Sequence, residues 1–204
     1  TAADVRGICT HCKHARAIVA QQWPAACGGG VSAATAGKNV TLGLVDTRSA
    51  ADRAASTLTG QASWGLVSVV SGGSVLDADA NGAVDVYAKG SYLSAGAAGG
   101  VGSNTDALDI SVANLALSAG TGGVFLKTSQ DITLATVSVG DIQRLDAAGM
   151  VQKLAAVSGS SFETTSVMGL DVGGSLRAQD SSHMVKATSL VLKVGASVGS
   201  AMQA

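Results

Sequence analysis

The sequence predicts an all-β fold, a parallel β-solenoid that follows a short N-terminal cap or helical leader. One phrase of short apolar segments and Gly/Ala/Asp/Asn turns recurs four times across residues 65–134, at intervals of about 16 to 24 residues, as in solenoids. Only 3% of the residues are aromatic and 27 are glycine, so the core must consist of thin aliphatic layers. The phrases are alike, whereas the strands of a β-sandwich have individual roles and do not repeat.

Aligning the four phrases predicts which residues stack on one another. Equivalent residues of a parallel solenoid lie about 4.7–4.9 Å apart in successive coils. The first apolar pairs are Val67 and Val69, Val84 and Val86, Leu108 and Ile110, Val124 and Leu126. The second pairs are Val75 and Leu76, Tyr92 and Leu93, Leu115 and Leu117, Ile132 and Leu134.

Residues 1–37 are predicted to form a separate N-terminal element. They contain all three cysteines, two of the three histidines and the only proline. Good helix formers at residues 13–23 predict a helix of about three turns, which Pro24 would end. The element either covers the open end of the solenoid, whose strand edges need protection, or forms an independent leader.

Residues 38–204 are predicted to form the β-solenoid itself. Residues 47–60 interrupt the first coil and predict a loop or a short helix, after which Trp64 restarts the repeat. The phrases continue more loosely after Leu134, with clear strands at residues 131–134, 169–172 and 188–192. Residues 146–153 have the composition of a helical turn, although Gly149 weakens it.

Three segments carry a resemblance to a known family: GGSVLDADANGAVDVYAKGSYLSAG, VGSNTDALDISVANLALSAGTGGVFL and SQDITLATVSVGDI. They resemble the repeats of large bacterial exoproteins of the filamentous haemagglutinin type, over about residues 38–198. The resemblance implies a right-handed parallel β-helix, export across a Gram-negative envelope, and a role in adhesion or in a surface layer or fibre. The cysteines of residues 1–30 depart from that family's pattern.

Charge and hydropathy narrow the classes of partner. The net charge of −1 gives no basic field for nucleic acid. No apolar run reaches the roughly 18 to 20 residues that a transmembrane helix needs. We therefore expect no nucleic-acid partner and no transmembrane segment. The expected partners are further copies of the chain, in a fibre or homo-oligomer, and a host or cell-surface receptor or glycan.

One cluster near the N-terminus has metal-ligating residue types. Cys9, Cys12, His14 and Cys27 could supply the four thiolate and imidazole ligands of a tetrahedral zinc site. Only one half of the usual paired Cys-x-x-Cys pattern is present. The alternative is a disulfide in an oxidising compartment, with one cysteine left over.

A second cluster has the oxygen donors of a calcium loop. Asp77, Asp79 and Asn81 alternate and precede a glycine, and Asp85 falls at the ninth position. Ala88 stands at the twelfth position, where a bidentate Glu belongs, so the site is incomplete. The alternative is a polar turn between coils, because turns use the same residues. No other cofactor is expected.

No catalytic constellation stands out. Ser181, Ser182 and His183 follow Asp180, but adjacency in sequence is not triad geometry. Asp131, Asp141 and Asp146 could converge as in glycan-cleaving β-helical enzymes, although aromatic residues are too few to build a sugar cleft. Together with what the resemblance implies, this predicts a non-enzymatic extracellular structural or adhesive protein of the bacterial surface. The alternative is a β-helical carbohydrate-active enzyme or a tailspike-like glycan-binding protein.

Overall fold

The computed structural model describes residues 31–35, 39–57, 60–79, 81–145 and 150–200. Within these residues the chain forms 20 strands and one short α-helix, so the all-β class is confirmed. The predicted helix at residues 13–23 and most of the predicted N-terminal element lie outside the described residues.

The elements are short. The helix α1 spans Ala50–Ala54. The strands are β1 Val31–Thr35, β2 Val40–Leu42, β3 Val45–Asp46, β4 Leu66–Ser71, β5 Val75–Asp77, β6 Val86–Ser94, β7 Gly100–Val101, β8 Leu108–Ala119, β9 Gly123–Thr128, β10 Ile132–Leu134, β11 Val137–Val139, β12 Ile142–Leu145, β13 Val151–Leu154, β14 Val157–Gly159, β15 Phe162–Thr164, β16 Val167–Val172, β17 Leu176–Ala178, β18 Val185–Lys186, β19 Ser189–Val194 and β20 Val198–Ser200.

Sixteen of these strands pair in parallel, and their main pairings fall into three series. The first series is β1, β4, the second half of β6, the second half of β8, β15 and β18. The second series is β2, β5, β7, β9, β16 and β19. The third series is β3, the first half of β6, β8 as far as Leu115, β10, β17 and β20, with β10 pairing to β8 at Asn114 and Leu115. The chain passes through the three series in the same order each time.

The spacing of paired residues shows the length of one pass. Residues that meet across neighbouring strands commonly lie 22 to 24 positions apart. The spacing rises to 35 near the beginning and to 44 near the middle, where extra segments leave the stack. The first is residues 47–64, which include α1, and the second is residues 137–159. The prediction of a loop or short helix at residues 47–60 is confirmed.

The predicted stacking is right in part. Val86 pairs with Ile110 and Leu93 pairs with Leu117. Other predicted pairings are wrong. Leu134 pairs with Leu115 rather than with Leu117. Val67 and Val69 pair with Ser91 and Leu93 rather than with Val84 and Val86. Val75 pairs with Val101 rather than with Tyr92. The reason is that one pass contains three strands with the same alternation, so the phrases also match when they are shifted by one strand.

The core consists of columns of aliphatic side chains, as the composition predicts. One column in the first series joins Val69, Leu93, Leu117, Phe162 and Val185. Another in the second series joins Val40, Val75, Val101, Val124, Met168 and Leu190. Every member except Val185 and Leu190, which lie in the last pass, is at most 2% exposed.

Residues 137–159 depart from the predicted repeat. They form two antiparallel pairs, β11 with β14 and β12 with β13, so the expectation that the solenoid phrases continue here is wrong. The helical turn predicted at residues 146–153 is also wrong for residues 151–153, which belong to β13. The segment packs on the first series, because a Cβ at Gly159 would lie 2.2 Å from the ring of Tyr92. Within the segment, Val137 and Val139 of β11 are buried.

Glycines mark the corners between the first and second series. A Cβ placed on Gly96 would lie 2.0 Å from the carbonyl oxygen of Gly72, and one on Gly120 would lie 2.0 Å from that of Ala97. Because these contacts are to backbone of the neighbouring pass, a side chain there could be accommodated only by separating the strands.

We therefore expect Gly96→Ala to lower the free energy of unfolding by about 1–3 kcal/mol, the cost of overpacking. The control is Gly140→Ala, since a Cβ at Gly140 meets nothing within 4 Å, and it should change stability by no more than about 0.5 kcal/mol. Urea denaturation followed by circular dichroism measures both. Equal effects of the two variants would contradict the close approach at this corner.

Candidate functional site

Acidic side chains gather where the second series leads into the third. We call this group the acidic corner, and it consists of Asp77, Asp79, Asn81, Asp85, Asp106 and Asp109. The loops that follow β5 and β7 bring it together in two successive passes, and the Gly102 N–H donates to the carbonyl of Val75 at 2.8 Å between them. The corner therefore contains all four residues of the predicted calcium loop, together with two that the sequence analysis did not select.

The loop after β5 is a run of side-chain-capped turns. Asp77 Oδ1 accepts the N–H of Asp79 at 2.9 Å, Asp79 Oδ1 accepts that of Asn81 at 3.4 Å, and Asn81 Oδ1 accepts that of Ala83 at 2.6 Å. These contacts are what the polar-turn alternative requires. In the part of the chain that the structure describes, no group of three or more His, Cys, Asp or Glu is arranged to hold a metal ion. Calcium binding by Asp77, Asp79, Asn81 and Asp85 stays a prediction.

Asp85 is the buried member of the acidic corner, with 1% of its surface exposed. Its backbone N–H donates to the Asp109 carbonyl at 2.8 Å, and its Oδ2 accepts the Asp109 N–H at 3.0 Å. The pKa of Asp85 is raised to about 8, mainly by burial and also by the carboxylates of Asp77 and Asp109, while the hydrogen bond from the Asp109 N–H opposes the rise. Asp85 is therefore mainly protonated at neutral pH.

The proton on Asp85 has a nearby acceptor. Asp77 Oδ2 is buried and has no hydrogen-bond partner when both side chains are ionised, and a hydrogen bond with Asp77 is among the causes that raise the pKa of Asp85. A protonated Asp85 would supply the donor that a buried oxygen needs. Partial desolvation and the charges of Asp77, Asp79 and Asp109 also raise the pKa of Asp106.

A row of alternating charges begins at this corner. We call it the charge ladder: Asp109, Lys127, Asp171 and Lys193, which pair in register across β8, β9, β16 and β19. Lys127 Nζ lies 3.1 Å from Asp109 Oδ1, and Lys193 Nζ lies 2.8 Å from Asp171 Oδ2. Opposite charges directly across neighbouring strands stabilise the pairing. The ladder therefore helps to fix the register of the strands whose aliphatic side chains form the columns.

A second polar cluster surrounds His183, which is 7% exposed. Its Nδ1 lies 2.8 Å from Asp180 Oδ1, and its Nε2 lies 3.1 Å from the hydroxyl of Thr136. Ser182 bonds to the same Asp180 oxygen and lies 3.3 Å from Nδ1. Hydrogen bonds from Ser182 and His183 lower the pKa of Asp180 to about 2. The imidazole thus joins the turn after β17 to the corner after β10.

The other selected carboxylates serve separate contacts. Asp131 accepts the Ser175 N–H at 2.8 Å and lies 3.2 Å from Arg177. Asp141 accepts the Ala156 N–H at 2.8 Å and lies 2.5 Å from Lys153. The convergence considered for Asp131, Asp141 and Asp146 is therefore not seen for the first two. Asp146 lies outside the described residues, as do the zinc or disulfide candidates Cys9, Cys12, His14 and Cys27.

Comparison with known proteins identifies no family for this chain. No family model, no curated protein and no solved structure matches the chain. Among the described residues, no helix has the length and apolar character needed to cross a membrane.

The raised pKa of Asp85 gives stability a definite pH dependence. The ordinary pKa of 3.8 applies to the unfolded chain and about 8 to the folded one. The folded state therefore binds more protons between these values, and the free energy of unfolding should fall as pH rises from about 4 to 8. Asp85→Asn should reduce this slope, because its amide stays neutral, accepts the Asp109 N–H and can donate to Asp77. Urea denaturation across this pH range measures it.

Asp141→Asn is the matched control, since it removes an exposed carboxylate away from the corner, and it should leave the pH slope between about 4 and 8 in place. If Asp85→Asn and wild type lose the same stability over that range, Asp85 is not the group responsible.

The calcium prediction carries its own signature at this corner. Bound calcium requires ionised ligands, so it would displace the proton of Asp85. In chelator-treated protein at about pH 7, calcium should raise the melting temperature and release part of one proton. Calorimetry in two buffers of different ionisation enthalpy detects the proton, and Asp85→Asn should release none. An unchanged melting temperature would contradict calcium binding and support the alternative, in which the loop is a polar turn.

Proposed function

We propose that the chain is a non-enzymatic structural or adhesive protein of the bacterial cell exterior, built as a right-handed parallel β-helix. Support for the coil comes from the constant order in which the chain passes through the three series, six times within the described residues. Connections between parallel strands of one sheet are right-handed in about 98% of cases. The residues before β1 would cap the first coil or precede it as a leader.

The observation that carries the proposed function is the unbroken stack of in-register columns. A column of six aliphatic residues runs through the second series from Val40 to Leu190. Between the columns lies a small, partly open cavity of about 10 Å³ lined by Ile110, Leu126, Phe162 and other residues, which has room for about one water molecule. A stack of this kind suits a stiff support better than a substrate pocket.

The surroundings of the polar residues also favour a structural role. The carboxylates considered for glycan cleavage, Asp131 and Asp141, each contact a cation and a backbone N–H. His183 bridges two corners rather than facing a cleft, since Asp180 and Thr136 occupy both ring nitrogens. Asp131 and His183 join neighbouring passes of the coil, whereas the contacts of Asp141 stay within residues 137–159, and none of these side chains shares a partner with another selected carboxylate.

Such a protein would act through the surface that its coils present to other molecules. Successive coils satisfy each other's backbone groups and produce a stiff surface. That surface would bind further copies of the chain in a fibre or homo-oligomer, or a receptor or glycan on a host or cell surface. The resemblance of the repeats to filamentous haemagglutinin-type exoproteins supports export and the extracellular location. The alternative, a carbohydrate-active or tailspike-like protein, would need catalytic or glycan-binding groups that converge in one cleft.

Two measurements test this proposal. Incubation with a panel of bacterial and host polysaccharides should release no new reducing ends, and negative-stain microscopy should show filaments or ordered oligomers. Turnover that is lost in Asp131→Asn or Asp141→Asn would overturn the non-enzymatic assignment. Ser138→Ala is the control, because it changes an exposed hydroxyl on β11 and touches neither carboxylate.

A further inference from the structure

One side-chain amide in the acidic corner is followed directly by a glycine. Asn81 and Gly82 are both exposed in the loop between β5 and β6. The backbone nitrogen that follows an asparagine can attack the carbon of its side-chain amide, and a glycine allows the closest approach. The other asparagines of the chain precede Val40, Thr105 and Leu115, whose side chains hinder attack by their own N–H groups.

The oxygen of the Asn81 amide is already held by a hydrogen-bond donor. The Ala83 N–H donates to Asn81 Oδ1 at 2.6 Å, and the Asn81 N–H donates to Asp79 Oδ1 at 3.4 Å. When a nitrogen attacks the amide carbon, negative charge develops on Oδ1, and a donor that already points at this atom stabilises the charge. The turn therefore prepares the side-chain carbon of Asn81 for attack.

A cation lies beside the peptide group that would attack. A Cβ built on Gly82 would lie 3.5 Å from Lys127 Nζ, and the Lys127 side chain is half exposed beside Asp109. The Gly82 nitrogen must lose its proton as it attacks. Because a nearby positive charge favours the deprotonated form of such a group, the ammonium of Lys127 should accelerate the reaction.

We propose that Asn81 is a site of spontaneous modification, at which the Gly82 nitrogen attacks the Asn81 side-chain amide and Lys127 accelerates the attack. A bond forms between the Gly82 nitrogen and Asn81 Cγ, the bond between Cγ and Nδ2 breaks, and Nδ2 leaves as ammonia with the proton lost from Gly82. Water then opens the cyclic imide at either of its carbonyls. The products are aspartate and isoaspartate, in which the main chain runs through the side-chain carbon.

Both products change the acidic corner. Aspartate at position 81 adds a carboxylate to the loop that already contains Asp77 and Asp79, and isoaspartate adds a methylene group to the backbone between β5 and β6. The modified fraction should increase with the age of the protein. The inference goes beyond the proposed structural role, because it depends on the chemistry of this loop and not on whether the chain forms fibres.

Timed incubation of the full chain at mildly alkaline pH tests the proposal. Peptide mass spectrometry should show that Asn81 acquires the mass difference between an amide and an acid, and fragment ions should identify both products. In heavy-oxygen water the product should carry one heavy oxygen atom, which comes from opening of the imide. Asn104 is the internal control, since it is also exposed but precedes Thr105, and it should keep its amide.

Two lysine variants test the part played by Lys127. Lys127→Gln should slow the loss of the Asn81 amide about twofold to fivefold, as expected for one exposed charge contact. Lys193→Gln is the matched control, since it removes the same charge from an exposed residue that also pairs with an aspartate, and it should react as wild type does. Raised salt should also slow the reaction of the wild-type protein.

An amide at Asn81 that lasts as long as that of Asn104 would overturn the proposal. So would equal rates in Lys127→Gln and wild type, because the cation would then have no part in the reaction. Either failure leaves the polysaccharide and microscopy tests of the proposed function unaffected, since neither test depends on the chemical state of Asn81.

Discussion

Parallel backbone pairing between residues 22 to 24 positions apart is the interaction on which the rest of this structure depends. It satisfies the N–H and C=O groups of one pass with those of the next. Because both strands alternate in the same phase, it also places like side chains on like, and columns of Val, Leu and Ile result. The same pairing brings the backbone of one corner onto the next, so that a Cβ on Gly96 would lie 2.0 Å from the Gly72 carbonyl oxygen.

Charged residues follow the same rule with a different result. Where Asp109, Lys127, Asp171 and Lys193 stack, opposite charges alternate and the register favours them. Where Asp85 stacks beside Asp109, two acids meet in a buried position, and the pKa of Asp85 rises to about 8 through burial first and then through its neighbours. A proton on Asp85 near neutral pH removes the repulsion between the two acids.

The sequence was informative wherever one pass resembles the next. The all-β class and the aliphatic core follow from composition, and the pairing of Leu93 with Leu117 follows from the repeat. The partners of the first repeat could not be predicted, because all three strands of a pass have the same alternation of apolar and polar residues. Residues 137–159 have the same alternation as the coil, so nothing in them signalled antiparallel pairing.

The candidate site divides in the same way. Asp77, Asp79, Asn81 and Asp85 could be selected from spacing within one loop, whereas Asp109 and Lys127 come from later passes. The spacing of 24 residues between Asp85 and Asp109 equals that of the repeat, and it could have identified the contact once the true period was known. The partnership of His183 with Thr136 spans 47 residues and matches no single period, so local patterns had no access to it.

The two extra segments indicate which face of the stack is left for other molecules. Residues 47–64 place Trp64, which is 4% exposed, against Tyr87 beside the early strands. Residues 137–159 cover the first series at Gly90 and Tyr92. Among the described residues neither segment covers the second series, and its outer side presents the charge ladder, in which each acid is matched by a lysine. A surface of alternating charge has little long-range field, and it discriminates between neighbouring strands by register at contact.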